Sequence, residues 1–140
     1  MDTISDRLDK PAGAEADQAP VVRFENVTKR IGGKTIIDGL TLDISPGQVF
    51  GFLGPNGSGK TTTIRMMVGL MSISEGDIRI CGSSISSSFE RAIAPVGAIV
   101  ENPEMYGYMS GYANLMQYAR MRPDISKERI DEVVDFIGLK

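Results

Sequence analysis

From residue 21 to 27 the chain alternates, with Val22 and Phe24 set against Arg23 and Glu25. Alternation with period two puts apolar side chains on one face of an extended backbone, so this stretch is predicted to be a half-buried strand. Gly32-Gly33 is a turn signal. Residues 35–45 follow with Ile36, Ile37, Leu40, Leu42 and Ile44, a second strand region interrupted at Asp38-Gly39. After a turn at Pro46-Gly47, residues 48–53 (QVFGFL) form a short and mostly apolar run, the pattern of a strand buried on both faces. Residues 77–80 alternate again, and residues 96–100 form a further apolar strand candidate.

Helical spacing appears in three places. Ile64, Met67, Val68 and Met71 lie at i, i+3, i+4 and i+7 and predict a helix over residues 60–71. Residues 112–121 and 127–137 predict two more. The second of these carries a stripe of Ile130, Val133, Val134 and Ile137, with Ser126 placed to cap its start and Gly138 to end it. Arg122-Pro123-Asp124 separates the two. A short helix is predicted over residues 88–93, after a serine-rich loop. Met1 to Pro20 is rich in Asp, Ala, Gly and Pro, and residues 1–20 read as a disordered leader with too little apolar surface to offset ordering. Residues 21–140 read as one domain, or part of one.

Composition narrows the chemistry. With 140 residues and 41% hydrophobic content the chain can bury a core, and a net charge of −3 gives no general attraction to nucleic acid. The chain has no histidine, so an imidazole base or zinc ligand is excluded within it, and its single cysteine, Cys81, cannot form an internal disulfide. No run reaches the roughly 18 apolar residues of a membrane-spanning helix.

The residues that carry chemistry are consecutive. Gly54, Pro55, Asn56, Gly57, Ser58, Gly59, Lys60 and Thr61 fit G-x-x-x-x-G-K-[ST], and Thr62 follows. Polyphosphate needs many donors within a small radius. Glycines let backbone N–H groups approach the anion, and a helix starting near Lys60 adds free N–H groups and a positive dipole end. Lys60 supplies a mobile cation for the terminal phosphates, and Thr61 offers a hydroxyl oxygen to Mg²⁺. The expected ligand is ATP with Mg²⁺. The bland alternative, a glycine turn beside an exposed lysine, does not call for a strand before the loop and an amphipathic helix after it.

Beyond the loop, LGPNGSGKTT strongly resembles ATP-binding subunits of ABC transporters, and the likeness extends over about residues 21–140. VRFENVTKRIGGKTIIDGLTLDISPGQVFGFLG looks like the antiparallel β-subdomain that opens such subunits, and MVGLMSISEGDIRICG like the segment after the loop helix. VGAIVENPEMYGYMSGYANL resembles the Q-loop region and the start of the helical subdomain. The resemblance implies an α/β P-loop NTPase of ABC type. It would comprise an antiparallel β-subdomain, a partial parallel sheet core and the start of a helical subdomain, truncated. It also implies an ATPase coupled to transport, a second ATP-binding subunit in a head-to-tail dimer, membrane-spanning permease partners and a peripheral place at the cytoplasmic face of the membrane. No nucleic-acid partner is expected.

The sequence departs from the family pattern at three positions. Most members have Gln where this chain has Glu101, and Glu followed by x-Pro-x-x-Tyr is similar to subunits of bacitracin- and lantibiotic-type exporters. Either residue presents an oxygen to Mg²⁺ or its water, but a carboxylate adds negative charge, so Glu101→Gln is expected to weaken the dependence of binding on Mg²⁺. Where relatives often stack an aromatic on adenine, this chain has Ile31, which can pack on a base without a stacking face. Ala113 replaces a Glu that would complete a capping box with Ser110, so that helix start is expected to be less well fixed.

The sequence stops at Lys140, before the family's signature, acidic strand, catalytic glutamate and switch histidine. One half of a composite ATP site is therefore expected from this chain, with turnover by the chain alone not expected. Fragment and natural truncation remain open. So do two rival functions, a module that binds nucleotide without turnover and a soluble ABC-type ATPase unconnected to transport.

Overall fold

The computed structural model describes residues 19–102, 105–122 and 124–138. The expected leader at residues 1–20 lies almost entirely outside the described residues, as do Pro103 and Pro123. The chain divides into two compact units, one running to Val100 and one starting at Glu101.

The first unit is built on strand β1 (Val22–Ile31), flanked by β2 (Lys34–Ile44) and β3 (Glu75–Ile80), with the two-residue β4 (Ser83–Ser84) beyond β3. Every pairing is antiparallel, in the order β2-β1-β3-β4. Register follows the alternation in the sequence: Val22 stands between Ile44 and Ile80, and Phe24 between Leu42 and Ile78. A register shift between Phe24 and Val27, with Asn26 at φ 52°, puts an extra residue into β1. Phe24 and Val27 are thereby both fully buried although three residues apart, which unbroken alternation forbids. The opposite face is charged. Arg23 donates two hydrogen bonds to Asp43, at 2.8 and 2.9 Å, and Arg79 Nε donates to Glu25 at 3.1 Å.

Helix α1 (Lys60–Met67) closes the core with Met66, and the short helix α2 (Phe89–Ile93) adds Ala92. α1 stops four residues short of the predicted Met71. Gly69, at φ 72°, takes the left-handed turn. Its N–H donates to the Met66 carbonyl at 3.1 Å and the Leu70 N–H to the Arg65 carbonyl at 2.8 Å, a pairing that satisfies the last carbonyls and ends the helix. The buried face of α1 is Thr63 and Met66, whereas Ile64 of the predicted stripe is 39% exposed. Beyond the helix, buried Lys29 of β1 donates to the Ser72 carbonyl at 2.6 Å and ties the exit of α1 to the sheet.

Two predicted strands are not formed. Residues 48–53 and 96–100 have no strand partner among the described residues, and Val49, Leu53 and Ile99 are largely exposed. An apolar run becomes a strand only when a neighbour supplies carbonyls and N–H groups along its length, and no described segment does so here.

The second unit pairs α3 (Gly111–Arg120) with α4 (Lys127–Phe136), each within one residue of its predicted bounds. The Ser126 side chain accepts from the Arg129 N–H at 3.3 Å, and Gly138 follows α4 at φ 71°, both as the sequence predicts. Ile130, Val133 and Val134 are half-buried, and Ile137 is exposed. Across the helix pair, the Tyr112 hydroxyl donates to Asp131 Oδ1 at 2.8 Å, while Lys127 donates to Asp131 Oδ2 at 2.8 Å. The start of α3 is better fixed than the missing Glu suggests. Ser110 accepts from the Ala113 N–H at 3.2 Å, and the buried Asn114 side chain bonds back to the preceding loop.

Candidate functional site

The glycine loop runs straight into α1. Its turn is closed by the Ser58 N–H donating to the Pro55 carbonyl at 3.2 Å. Gly59 is the N-cap of α1 at φ 90°, in the left-handed region. A Cβ there would lie 3.1 Å from Ile37 Cγ1 and 3.4 Å from the Ile36 carbonyl oxygen, so the loop is seated closely on β2 in a conformation that favours glycine. At Gly54 a Cβ would come within 2.8 Å of Ser58 Oγ. Thr63 then locks the first turn, since its N–H and its hydroxyl both donate to the Gly59 carbonyl, at 2.8 and 2.9 Å.

A glycine N-cap offers no side-chain acceptor, and the first turn of α1 contains no acidic residue. The N–H groups of Lys60, Thr61 and Thr62 therefore lie at the positive end of the helix dipole without an intrahelical acceptor. Beside them is a recess of about 200 Å³ lined by Asn56, Gly57, Gly59, Lys60, Thr61 and Thr62, with Ile36 also in its wall. Lys60 folds back over the loop, where its ammonium donates to the Gly54 and Pro55 carbonyls at 2.7 Å each and reaches Ser58 Oγ at 3.5 Å. Six of the expected nucleotide residues thus line one recess, and Gly54, Pro55 and Ser58 hold its cation. The donor set fits an anion accompanied by a hard cation: backbone N–H groups and an ammonium for phosphate oxygens, and the exposed Thr61 hydroxyl for Mg²⁺.

Ile31 is not in this lining. It closes β1 beside the Gly32-Gly33 turn and is 47% exposed. Glu101 opens the second unit, exposed and at φ 62°, a conformation that costs a residue with a side chain about 1 kcal/mol or more. Sequence reading missed Ile36 and Thr63. Ile36 looks like any other strand aliphatic and enters the wall only because Gly59 packs on β2. Thr63 is one more threonine after Thr61 and Thr62.

A family model described as ABC transporter matches residues 37–140, a stretch that contains the whole glycine loop. This chain belongs to the ABC transporter family. Among ABC transporter relatives, it is 61% identical over 119 residues to the uncharacterized ABC transporter ATP-binding protein YhcH of Bacillus subtilis (strain 168), covering 85% of this chain and 39% of that protein. It is 34% identical over 119 residues to the bacitracin transport ATP-binding protein BcrA of Enterococcus faecalis, again 85% of this chain and 39% of the relative. The chain thus spans about two fifths of the length of these relatives. A solved structure of an ATP-binding subunit of an ABC transporter superposes with a TM-score of 0.66 over 77% of this chain and 45% of that one. At 23% identity that likeness shows the fold, which is the ABC-type P-loop fold expected from the sequence.

Proposed function

We propose that this chain forms the phosphate-binding part of an ABC-type ATPase, holding Mg²⁺-ATP so that hydrolysis is coupled to export of a substrate such as a peptide antibiotic. The observation that carries the reading is the glycine-capped start of α1, where Lys60, Thr61 and Thr62, whose N–H groups lack an intrahelical acceptor, line one recess. In this reading Asn56, Gly57 and Gly59 shape the loop so that its backbone donors converge on the β- and γ-phosphates. The Lys60 ammonium exchanges loop carbonyls for phosphate oxygens, a short move because both carbonyl contacts come from the loop itself. Thr61 holds the metal through its hydroxyl and Glu101 offers a second oxygen. The bound Mg²⁺ neutralises phosphate charge. Ile31 packs on the base without stacking.

Export is the preferred direction because the Glu101-x-Pro-x-x-Tyr106 pattern and the bacitracin transport relative agree. A second ATP-binding subunit would complete the site head to tail, and the loop over residues 101–108 would face membrane-spanning permease subunits at the cytoplasmic side of the membrane. Among the described residues no helix is long and apolar enough to cross a membrane, so in this reading the contact with the bilayer is made by those partners.

Calorimetric titration with Mg²⁺-ATP tests the reading. Lys60→Ala should weaken binding by about two orders of magnitude, the scale of lost charge-assisted hydrogen bonds. Equal affinities for the two proteins would sink it. Steady-state phosphate release from the full-length subunit, with Lys60→Ala as the control for contaminating ATPases, separates an ATPase from a module that only binds.

A further inference from the structure

Asn114 is a buried polar side chain outside the phosphate recess whose amide oxygen and nitrogen are both bonded. It is 3% exposed, on the first turns of α3. Its Oδ1 accepts from the Tyr106 N–H at 2.8 Å, which fixes the orientation of the carboxamide, since only the oxygen can accept. Its Nδ2 donates to the Tyr106 carbonyl at 3.1 Å, the Ser110 carbonyl at 3.1 Å and, more weakly, the Met109 carbonyl at 3.4 Å. One side chain thus engages both backbone groups of Tyr106, as a neighbouring strand would, and also the end of the loop at Ser110. A buried amide needs partners for its oxygen and its N–H groups, and here all of them come from one loop.

The clamped loop is a ridge. On one side lies a mainly apolar recess of about 710 Å³ and on the other a recess of about 280 Å³, and Tyr106 and Met109 line both. Met105, Tyr106 and Tyr108 are 50%, 53% and 85% exposed, and the Tyr106 and Tyr108 rings pack on one another with centroids 5.7 Å apart. Asn114 ties the backbone from Tyr106 to Ser110 to α3, and the Met109 N–H to Tyr106 carbonyl bond at 3.0 Å closes the turn above it. We propose that Asn114 is a positioning residue that sets the shape of this ridge, and through it the coupling of the subunit to its membrane partner. The second half of the proposal rests on the coupling role proposed above for residues 101–108.

Amide hydrogen exchange reads the clamp directly. In Asn114→Leu, similar in volume but unable to accept or donate, the Tyr106 N–H should exchange about tenfold faster or more, while the Ile137 N–H at the end of α4 keeps its rate. Asn114→Asp keeps the acceptor but sets a carboxylate against carbonyl oxygens, and should move Tyr106 in the same direction. An unchanged Tyr106 rate in both variants would overturn the clamp. A rise at Ile137 in step with Tyr106 in both variants would make Asn114 a general fold residue and overturn the positioning role. In the full-length subunit assembled with its membrane partner, Asn114→Asp should leave KM for ATP within about twofold and lower the partner-stimulated kcat about tenfold. Undiminished stimulation beside a lost clamp would overturn the coupling half. If the unsubstituted subunit shows no stimulation at all, the coupling reading of residues 101–108 fails on its own account, and the exchange data still decide the clamp.

Discussion

Phe24, Val27, Met66 and Ile78 are fully buried in the first unit, whereas α4 of the second unit has no fully buried residue. The first unit is held by a bonded sheet and an apolar core. The second combines half-buried aliphatic side chains of α4 with polar ties: Asn114 into its loop, and Tyr112 onto Asp131. The contrast fits the proposed function. Phosphate recognition needs donors fixed to a fraction of an ångström, and the glycine loop is seated where β2 and α1 are already packed. A loop secured by a few hydrogen bonds, each worth about 1 kcal/mol, can be reshaped by one substitution without unfolding its surroundings.

The sharpest way to break this contrast is Phe24→Ala. Loss of a fully buried ring at the centre of the sheet should cost about 3–5 kcal/mol in urea denaturation, and a loss below about 1 kcal/mol would show that packing is not what holds the first unit. Gly76→Ala should come next. Gly76 sits at φ 84°, and a Cβ there would lie 2.3 Å from the Asn26 carbonyl oxygen and 2.4 Å from that of Glu25, so β1 and β3 would have to part. About 2 kcal/mol or more is expected from the same denaturation curve.

In the second unit Tyr112→Phe removes only a hydroxyl donating to Asp131, and should cost about 1 kcal/mol at most. Faster exchange of α3 and α4 amides, with α1 and sheet amides unchanged, would sharpen the contrast, and a uniform rise would erase it. The smallest effect belongs to the charged face of the sheet. The Arg23 guanidinium donates to the Asp43 carboxylate and holds its pKa below the ordinary carboxylate value. A lowered folded pKa means that the stabilisation is fully present above the unfolded value near about 3.9 and fades as pH falls through the folded value. The difference in Tm between the native chain and Asp43→Asn should therefore shrink below about pH 4, and both groups are exposed, so it should not exceed about 2 °C at neutral pH.

The form of the glycine loop was legible because its motif is contiguous. Eight consecutive residues specify a backbone that presents donors, and they need only a helix after them to do so. The caps of α4 were legible for the same reason, since Ser126 and Gly138 act on groups within three residues of themselves or on their own backbone. The strands β1, β2 and β3 followed from alternation, up to the point where Asn26 breaks it in β1, but their pairing did not. What depended on a distant neighbour was not legible. Residues 48–53 and 96–100 have strand composition, but a strand is a relation between two segments, and the second segment is not among the described residues. Val27 is buried because an extra residue at Asn26 turns it inward, and Ile36 lines the recess because Gly59 packs on β2. Asn114 reads as a helix-interior polar residue until the structure brings the Tyr106 backbone to it. The sequence by itself determined the glycine-loop motif, the family and, to within a residue, the bounds of α3 and α4. Only the tertiary structure decided which apolar runs found partners and which polar side chain took charge of the exposed loop, because burial and hydrogen bonding are settled by what lies opposite a residue.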